Sequence, residues 1–294
     1  MAIYDISGNS LGAAYGKDGS ALSAAYDKAG NTVWTAGPIS LRVCSYNVGG
    51  WYIGSGTNVP ADKDATYYAL QNGTITDIDA DILCMQEFWT QFSKLPRTAE
   101  SLLSQYYPYI RTADGTATYT GRSICSKYPI LSYTRHRFSG ENRYYDDAGI
   151  SVNGKTVHVF VTHLHPSDPS AKIREATELF SFIQSQGYTD YIVCGDFNST
   201  LYDPFSETNA AIYNQFINAG CTLANAGAFG IKPTACNSAN WSADSFAIDN
   251  IIAHGLSIDA VATDTRKTTD SAFLADGKID HIPIYADLTL ALGT

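Results

Sequence analysis

Apolar residues in this chain gather in short runs punctuated by turn-forming residues. Strand-like runs fall at 41–46, 81–86, 123–126, 156–162, 191–194, 247–253 and 282–290, each of a length that suits a buried or half-buried strand. Between them lie helix-like segments at about 63–77, 98–106, 170–186 and 206–219. The 170–186 segment is amphipathic, with Ile173, Leu179, Phe180 and Ile183 on one side and Glu175 and Glu178 on the other. Strands that alternate with helices through one long unit predict a layered α/β domain. The Gly/Asn/Ser-rich segment 224–245 is too long for an idle loop, so it is expected near the active site.

The leader differs in texture. Tyr4, Tyr15 and Tyr26 mark three units with a period of eleven residues, each placing a Gly-Asn or Gly-Ser turn signal before a short apolar stretch. A glycine in every unit speaks against an eleven-residue coiled coil. The division expected is therefore 1–37 as a linker, attachment or oligomerisation segment and 38–294 as the catalytic domain.

Composition narrows the class. The formal charge of −10 argues against a general nucleic-acid binder, although a bound cation could supply positive charge locally. None of the six cysteines forms a C-x-x-C pair, and four of them lie in apolar runs, which predicts reduced structural thiols. Only Cys221 and Cys236 are placed to pair in a loop. No stretch reaches the ~18 apolar residues of a membrane span. Met1–Asp5 shows neither a basic nor an apolar leader region, so the expected compartment is the cytoplasm. The repeats would also suit a protein mounted on an assembly such as a phage particle.

Polar groups recur at one kind of position, the end of an apolar strand. Asn47, Glu87 and His163 each follow a strand, Asp196 and Asn198 follow another, and Asp280-His281 precede the last one. Taken singly, each reads as a cap, a turn residue or a surface histidine. Together they can line one sheet edge, where α/β proteins place ligands. Oxygen donors such as Asn47, Glu87 and Asp280 suit Mg²⁺ or Ca²⁺, and histidines beside carboxylates suit proton transfer near neutral pH. No zinc spacing, Walker loop, nucleophile elbow or dinucleotide fingerprint is present. The pattern asks for metal-assisted attack of water on phosphorus.

The ordered segments Ser45-Tyr46-Asn47, Met85-Gln86-Glu87, Ser123–Pro129, Thr162-His163-Leu164, Gly195-Asp196-Phe197-Asn198, Ile248-Asp249-Asn250 and Ile279-Asp280-His281 resemble the endonuclease/exonuclease/phosphatase superfamily. The resemblance covers roughly 41–290. It implies a four-layered α/β/β/α sandwich of two mostly antiparallel sheets. It also implies that Glu87 is the principal metal ligand, aided by Asn47 and Asp280. His281 would act on water or phosphoryl oxygens, with Asp249 orienting it, while Asp196 and Asn198 would position nucleophile and phosphate. His163 resembles the second histidine of the deoxyribonuclease-I-like and sphingomyelinase-like branches, and Arg143 a substrate-contacting arginine. Gly49 and His163 depart from the apurinic-site nucleases, and Asn250 after Asp249 departs from the inositol-polyphosphate 5-phosphatases.

The expectation is thus a Mg²⁺-dependent phosphoesterase (Mn²⁺ or Ca²⁺ as alternatives) acting on a phosphodiester, a nucleic acid first. A phosphomonoesterase or sphingomyelinase-like enzyme on the same fold is the nearest rival. A non-catalytic module attached through the repeats is the rival of another class.

Overall fold

In the computed structural model, the apolar runs at 41–46 and 81–86 become β5 (Ile39–Asn47) and β6 (Ile82–Gln86), and those at 156–162 and 191–194 become β11 (Lys155–His163) and β12 (Tyr191–Asp196). The structure describes residues 37–48, 73–88, 103–112, 121–140, 142–200, 207–236, 245–265 and 281–291, and the backbone of 14–15, 21–22, 24–26 and 32–35. β5 and β6 pair in parallel, and so do β11 and β12. A parallel pair needs a crossover back to its starting edge, and helix α2 (Pro169–Gln186) serves the second pair. Asp168 caps α2 by accepting from the N–H groups of Ser170 and Ala171, and Pro169 fits its first turn.

Antiparallel strands extend both pairs. The first sheet runs β17 (Leu256–Thr263), β18 (Ile284–Leu290), β5, β6, β8 (Arg122–Ser126) and β7 (Tyr109–Thr112). The second runs β13 (Thr222–Leu223), β16 (Asp249–His254), β12, β11, β10 (Tyr144–Val152) and β9 (Ile130–Arg137). β14 (Ala235–Cys236) pairs with β15 (Ser245–Phe246) in a small separate ribbon. Each six-stranded sheet is mixed, with one parallel pairing among antiparallel ones.

The sheets pack face to face through residues such as Leu41, Val43, Ile82, Ile124, Val159, Val161, Ile192, Ile251 and Leu288, all fully buried. Each such side chain contributes roughly 1.5–3 kcal/mol. Helices α2 and α3 (Glu207–Asn218) cover the outer face of the second sheet, where Leu179, Ile183, Ile212 and Phe216 meet Phe160, Tyr191 and Val193. On the outer face of the first sheet, Ile75 and Ile78 of the short helix α1 (Thr74–Ile78) join Leu103 and Tyr107 against Tyr46, Leu83 and Met85. All six cysteines are buried, and none is in a disulfide. No described helix is long and apolar enough to cross a membrane.

Several expectations meet the structure at the edges. The 63–77 and 98–106 segments fall largely outside the described residues, with α1 overlapping the end of the first. In the leader, Tyr15 pairs with Ala21 across β1 (Ala14–Tyr15) and β2 (Ala21–Leu22). Tyr26 pairs with Thr32 across β3 (Ala24–Tyr26) and β4 (Thr32–Thr35), the same pairing one period later. Glu175 was assigned above to the polar side of its helix, but it is fully buried.

The parallel pairing β11–β12 sets Gly195 beside Thr162. A Cβ on Gly195 would lie 2.6 Å from the Thr162 carbonyl oxygen and 2.7 Å from its Cγ2. Since backbone cannot swing aside as a side chain can, only glycine permits this approach. Gly195→Ala should therefore lower unfolding stability by about 1–3 kcal/mol and displace Asp196, measured by urea denaturation. A variant with unchanged stability would contradict this close approach.

Candidate active site

In a parallel pair, both C-terminal ends reach the same sheet edge, and an antiparallel neighbour brings its N-terminal end there too. Asn47 ends β5 and Glu87 follows β6, while His163 ends β11 and Asp196 ends β12. Asp249 opens β16 directly opposite Asp196, as His163 lies opposite it on the other side. His281 arrives just before β18, which pairs with β5. Six side chains from both sheets therefore meet at one rim.

Three of them, Asn47, His163 and His281, meet at Asp196 Oδ2. It accepts from Asn47 Nδ2 at 3.0 Å and lies 3.5 Å from His281 Nε2 and 3.6 Å from His163 Nε2. The Asn47 amide also donates to Glu87 Oε1 at 3.2 Å and sits 3.4 Å from His281 Nε2. On the far side of the imidazole, His281 Nδ1 meets Asp249 Oδ2 at 2.8 Å. That contact fixes the ring and leaves Nε2 facing Asp196.

Local backbone geometry aims these groups. Glu87 has φ 53° and Asn198 φ 48°, left-handed conformations uncommon outside glycine. Glu87 holds its place because both neighbours are tied down: the Gln86 carbonyl accepts from Val48 N at 3.0 Å and Phe88 N donates to the Gly121 carbonyl at 2.9 Å. Asn198 donates its backbone N–H to Asp196 Oδ1 at 2.8 Å and its side-chain amide to the Leu164 carbonyl at 2.9 Å. Lys172, reaching from α2, donates to the Asn198 carbonyl. Asn198 thus shapes the site through its turn.

A layer behind the rim supports it. Thr234 Oγ1 accepts from the N–H groups of Ile248 and Asp249 at 3.2 and 3.1 Å, and its carbonyl accepts from Ile282 N at 2.8 Å. One residue therefore locks both the Asp249 and the His281 segments. Asn225 adds a bond to the Asp249 carbonyl at 3.1 Å. The described part of the long 224–245 segment accordingly lies against the site, as expected. Glu175 accepts from His165 N at 2.8 Å and lies 3.3 Å from Arg143 Nε, and Arg143 donates to the His163 carbonyl.

Burial dominates the electrostatics of the site. Burial pushes the Asp196 carboxyl up to about 7, and Asp249 pushes the same way, while His281 and the donors from Asn198 and Asn47 pull it down. Burial also holds His163 well below the usual histidine range, with Arg143, Arg122 and His281 adding to the effect, so its imidazole is neutral. Ligand atoms of Asp196, Asp249 and His281 all lie within 4.8 Å of one another, a grouping that could hold a metal ion. Asp249 Oδ1 is buried without a hydrogen-bond donor. This oxygen-rich donor set fits a hard divalent cation.

The structure therefore brings Asn47, Glu87, His163, Asp196, Asn198, Asp249 and His281 together, with Arg143 touching the group from behind. Asp280 lies outside the described residues. Thr234, Asn225, Glu175, Lys172 and Arg122 escaped the sequence reading, because each acts through a partner distant in the chain.

The sequence profile of the Endonuclease/Exonuclease/phosphatase family matches residues 44–269. Among curated proteins, none matches the chain by sequence. Among solved structures, an endonuclease/exonuclease/phosphatase family protein from Bacteroides thetaiotaomicron aligns with TM-score 0.60 and 15% identity over 87% of this chain and 99% of its own. ANGEL2, a 2′,3′-cyclic phosphatase solved with adenosine-2′,3′-vanadate, aligns with TM-score 0.65 and 16% identity over 87% of this chain and 97% of its own. Sphingomyelinase C from Streptomyces griseocarneus aligns with TM-score 0.57 and 16% identity over 85% and 99%. At such identities the likeness is one of fold. The profile match, spanning most of the chain and every described rim residue but His281, carries the assignment: the chain belongs to the endonuclease/exonuclease/phosphatase family and is a phosphoesterase.

Proposed function

We propose that this phosphoesterase hydrolyses a phosphodiester by metal-assisted attack of water, with a nucleic acid strand as substrate. The observation that carries the reading is the convergence on Asp196 Oδ2 of Asn47, His163 and a His281 imidazole backed by Asp249. An acid, a positioned imidazole and a neutral second imidazole are the groups needed to align water and steady a pentavalent phosphorus.

Asn47 and Glu87, with Asp280 beside His281, are the residues we assign to hold Mg²⁺. The grouping of Asp196, Asp249 and His281 is the alternative seat, although a hydrogen bond already joins His281 Nδ1 to Asp249 Oδ2. When bound, the cation polarises a phosphoryl oxygen and offsets its charge. Asp196 orients the attacking water, its Oδ1 fixed by the Asn198 backbone. His281 Nε2, opposite the Asp249 contact, exchanges a proton with that water or donates to a phosphoryl oxygen. His163, neutral by burial, contributes a hydrogen bond to the phosphate or leaving oxygen, and Arg143 contributes positive charge beside it.

Asp196→Ala and His281→Ala should each lower Mg²⁺-dependent hydrolysis by ~10²–10⁴-fold with the fold intact by circular dichroism. The assay panel is plasmid DNA, RNA, bis-p-nitrophenyl phosphate, sphingomyelin and phosphomonoesters, each with Mg²⁺ and with EDTA. Undiminished activity in both variants would defeat the assignment of roles, and turnover of monoesters or sphingomyelin alone would defeat the nucleic-acid reading.

Metal-free stability should also carry the signature of Asp196. Its folded pKa of about 7 stands above the ordinary 3.8, so the folded chain holds a proton that the unfolded chain releases between those values. The stabilisation is full below pH about 4 and is lost as pH rises through about 7. Urea titrations in EDTA should show that fall, and Asp196→Asn should flatten it. An identical slope in the variant would contradict the burial of this charge.

A further inference from the structure

Among the described residues, Arg122 heads the largest fully buried side chains, with 2% of its surface exposed. On β8 it pairs in register with Gln86, and Gly121 receives the bond from Phe88 N. The backbone on either side of Glu87 is thus clipped to that of Arg122 and Gly121. The Arg122 side chain leaves this sheet and crosses to the other, where its Nε donates to Asp146 Oδ2 at 3.0 Å. Asp146 lies on β10 opposite Val161, two residues before His163 on β11. The guanidinium therefore bridges the strand beside the one leading to Glu87 and the strand beside the one leading to His163.

This ion pair is incomplete. Arg122 Nη2 is buried without a hydrogen-bond partner. A guanidinium has five N–H donors, and burying one without an acceptor is unfavourable, the more so for a charged group. Arg135 of β9 lies opposite Asp146 in the strand register. Burial lowers Arg135, and Arg122 lowers it further. Burial likewise pushes Asp146 up against the pull of both arginines. Below His163 the pair thus leaves one guanidinium N–H still to be met. Burial does not set Arg122 apart from the site, since Asn47 and Asp196 are each 1% exposed.

We propose that Arg122 is a phosphate ligand of the active site, its Nη2 donating to a non-bridging oxygen of the substrate phosphoryl group held over Asp196 and His163, with Asp146 as its positioning residue. The inference rests on the reading of this rim as the phosphoester site. It divides the work between two arginines. Arg143 is committed to Glu175 and the His163 carbonyl and braces the second histidine, while Arg122 reaches the substrate. The preference is for a charged, unesterified phosphoryl oxygen, which a guanidinium meets with a charge-assisted bond.

The test uses the full chain with Mg²⁺ and inorganic phosphate as probe, read by calorimetric titration and by inhibition of bis-p-nitrophenyl phosphate hydrolysis. Arg122→Gln should weaken phosphate binding by roughly tenfold or more and lower kcat/KM in parallel. Arg122→Lys should recover part of the loss. Asp146→Asn, which keeps the shape and removes the charge, should raise KM more than it lowers kcat. Should Arg122→Gln fail to fold, the double variant Arg122→Met with Asp146→Leu replaces the pair by apolar side chains, an exchange buried ion pairs often tolerate. It should show the same loss of phosphate affinity. Wild-type affinity in any folded variant lacking Arg122, or no phosphate binding by the wild type, overturns the proposal. If the wild type hydrolyses no ester yet binds phosphate through Arg122, the phosphodiesterase reading fails and the anion seat stands.

Discussion

Asp196 is held in register with His163 on one neighbouring strand and Asp249 on the other, and most of the site follows from that placement. The register depends on Gly195, whose missing side chain lets the Thr162 backbone come alongside. A shift by one residue would turn Asp196 to the opposite face of its sheet. With the register fixed, the carboxylate has nowhere to go but into the gap between the sheets, where Asn47 and His281 arrive from the other sheet. Burial then works against its charge, which is why the pocket is suited to draw in a cation or a proton.

The same topology recurs on both sides of the gap. Each sheet carries one parallel pair at its centre, and each pair delivers two polar residues to the shared rim: Asn47 and Glu87 from one, His163 and Asp196 from the other. Antiparallel β16 and β18 then bring Asp249 and His281 to the same rim from their N-terminal ends. The site is thus assembled from rigid strand ends braced by buried polar bonds, among them Thr234 and the Glu175–Arg143 pair. Such bracing suits catalysis, because positions set by packed elements need little reorganisation during reaction.

Much of this was legible in the chain. Many strands of the inner faces announced themselves as apolar runs, and every rim residue but Asp249 stood at the end of one; Asp249, inside its run, came only from the family resemblance. What stayed hidden were strands whose apolar positions are interrupted by charged or polar residues. β10 contains Tyr144-Tyr145-Asp146-Asp147-Ala148-Gly149, which reads as turn chemistry, yet Asp146 is buried because Arg122 meets it from the facing sheet. β9 is largely exposed and carries Arg135 and Arg137, so it shows no apolar period. Glu175 looked like a surface acid on an amphipathic helix until its partners, His165 and Arg143, were placed by the fold. In each case the deciding contact joins residues far apart in sequence, and no local pattern can encode it.

The central claim is that strand ends from both sheets converge on one cation-binding centre. Anomalous diffraction from crystals of the chain soaked in Mn²⁺ tests it most directly. The account predicts a single strong peak in the gap bounded by Glu87, Asn47 and Asp196, absent in a Glu87→Gln variant. A peak bound elsewhere, or no peak at this rim in the wild type, would contradict it.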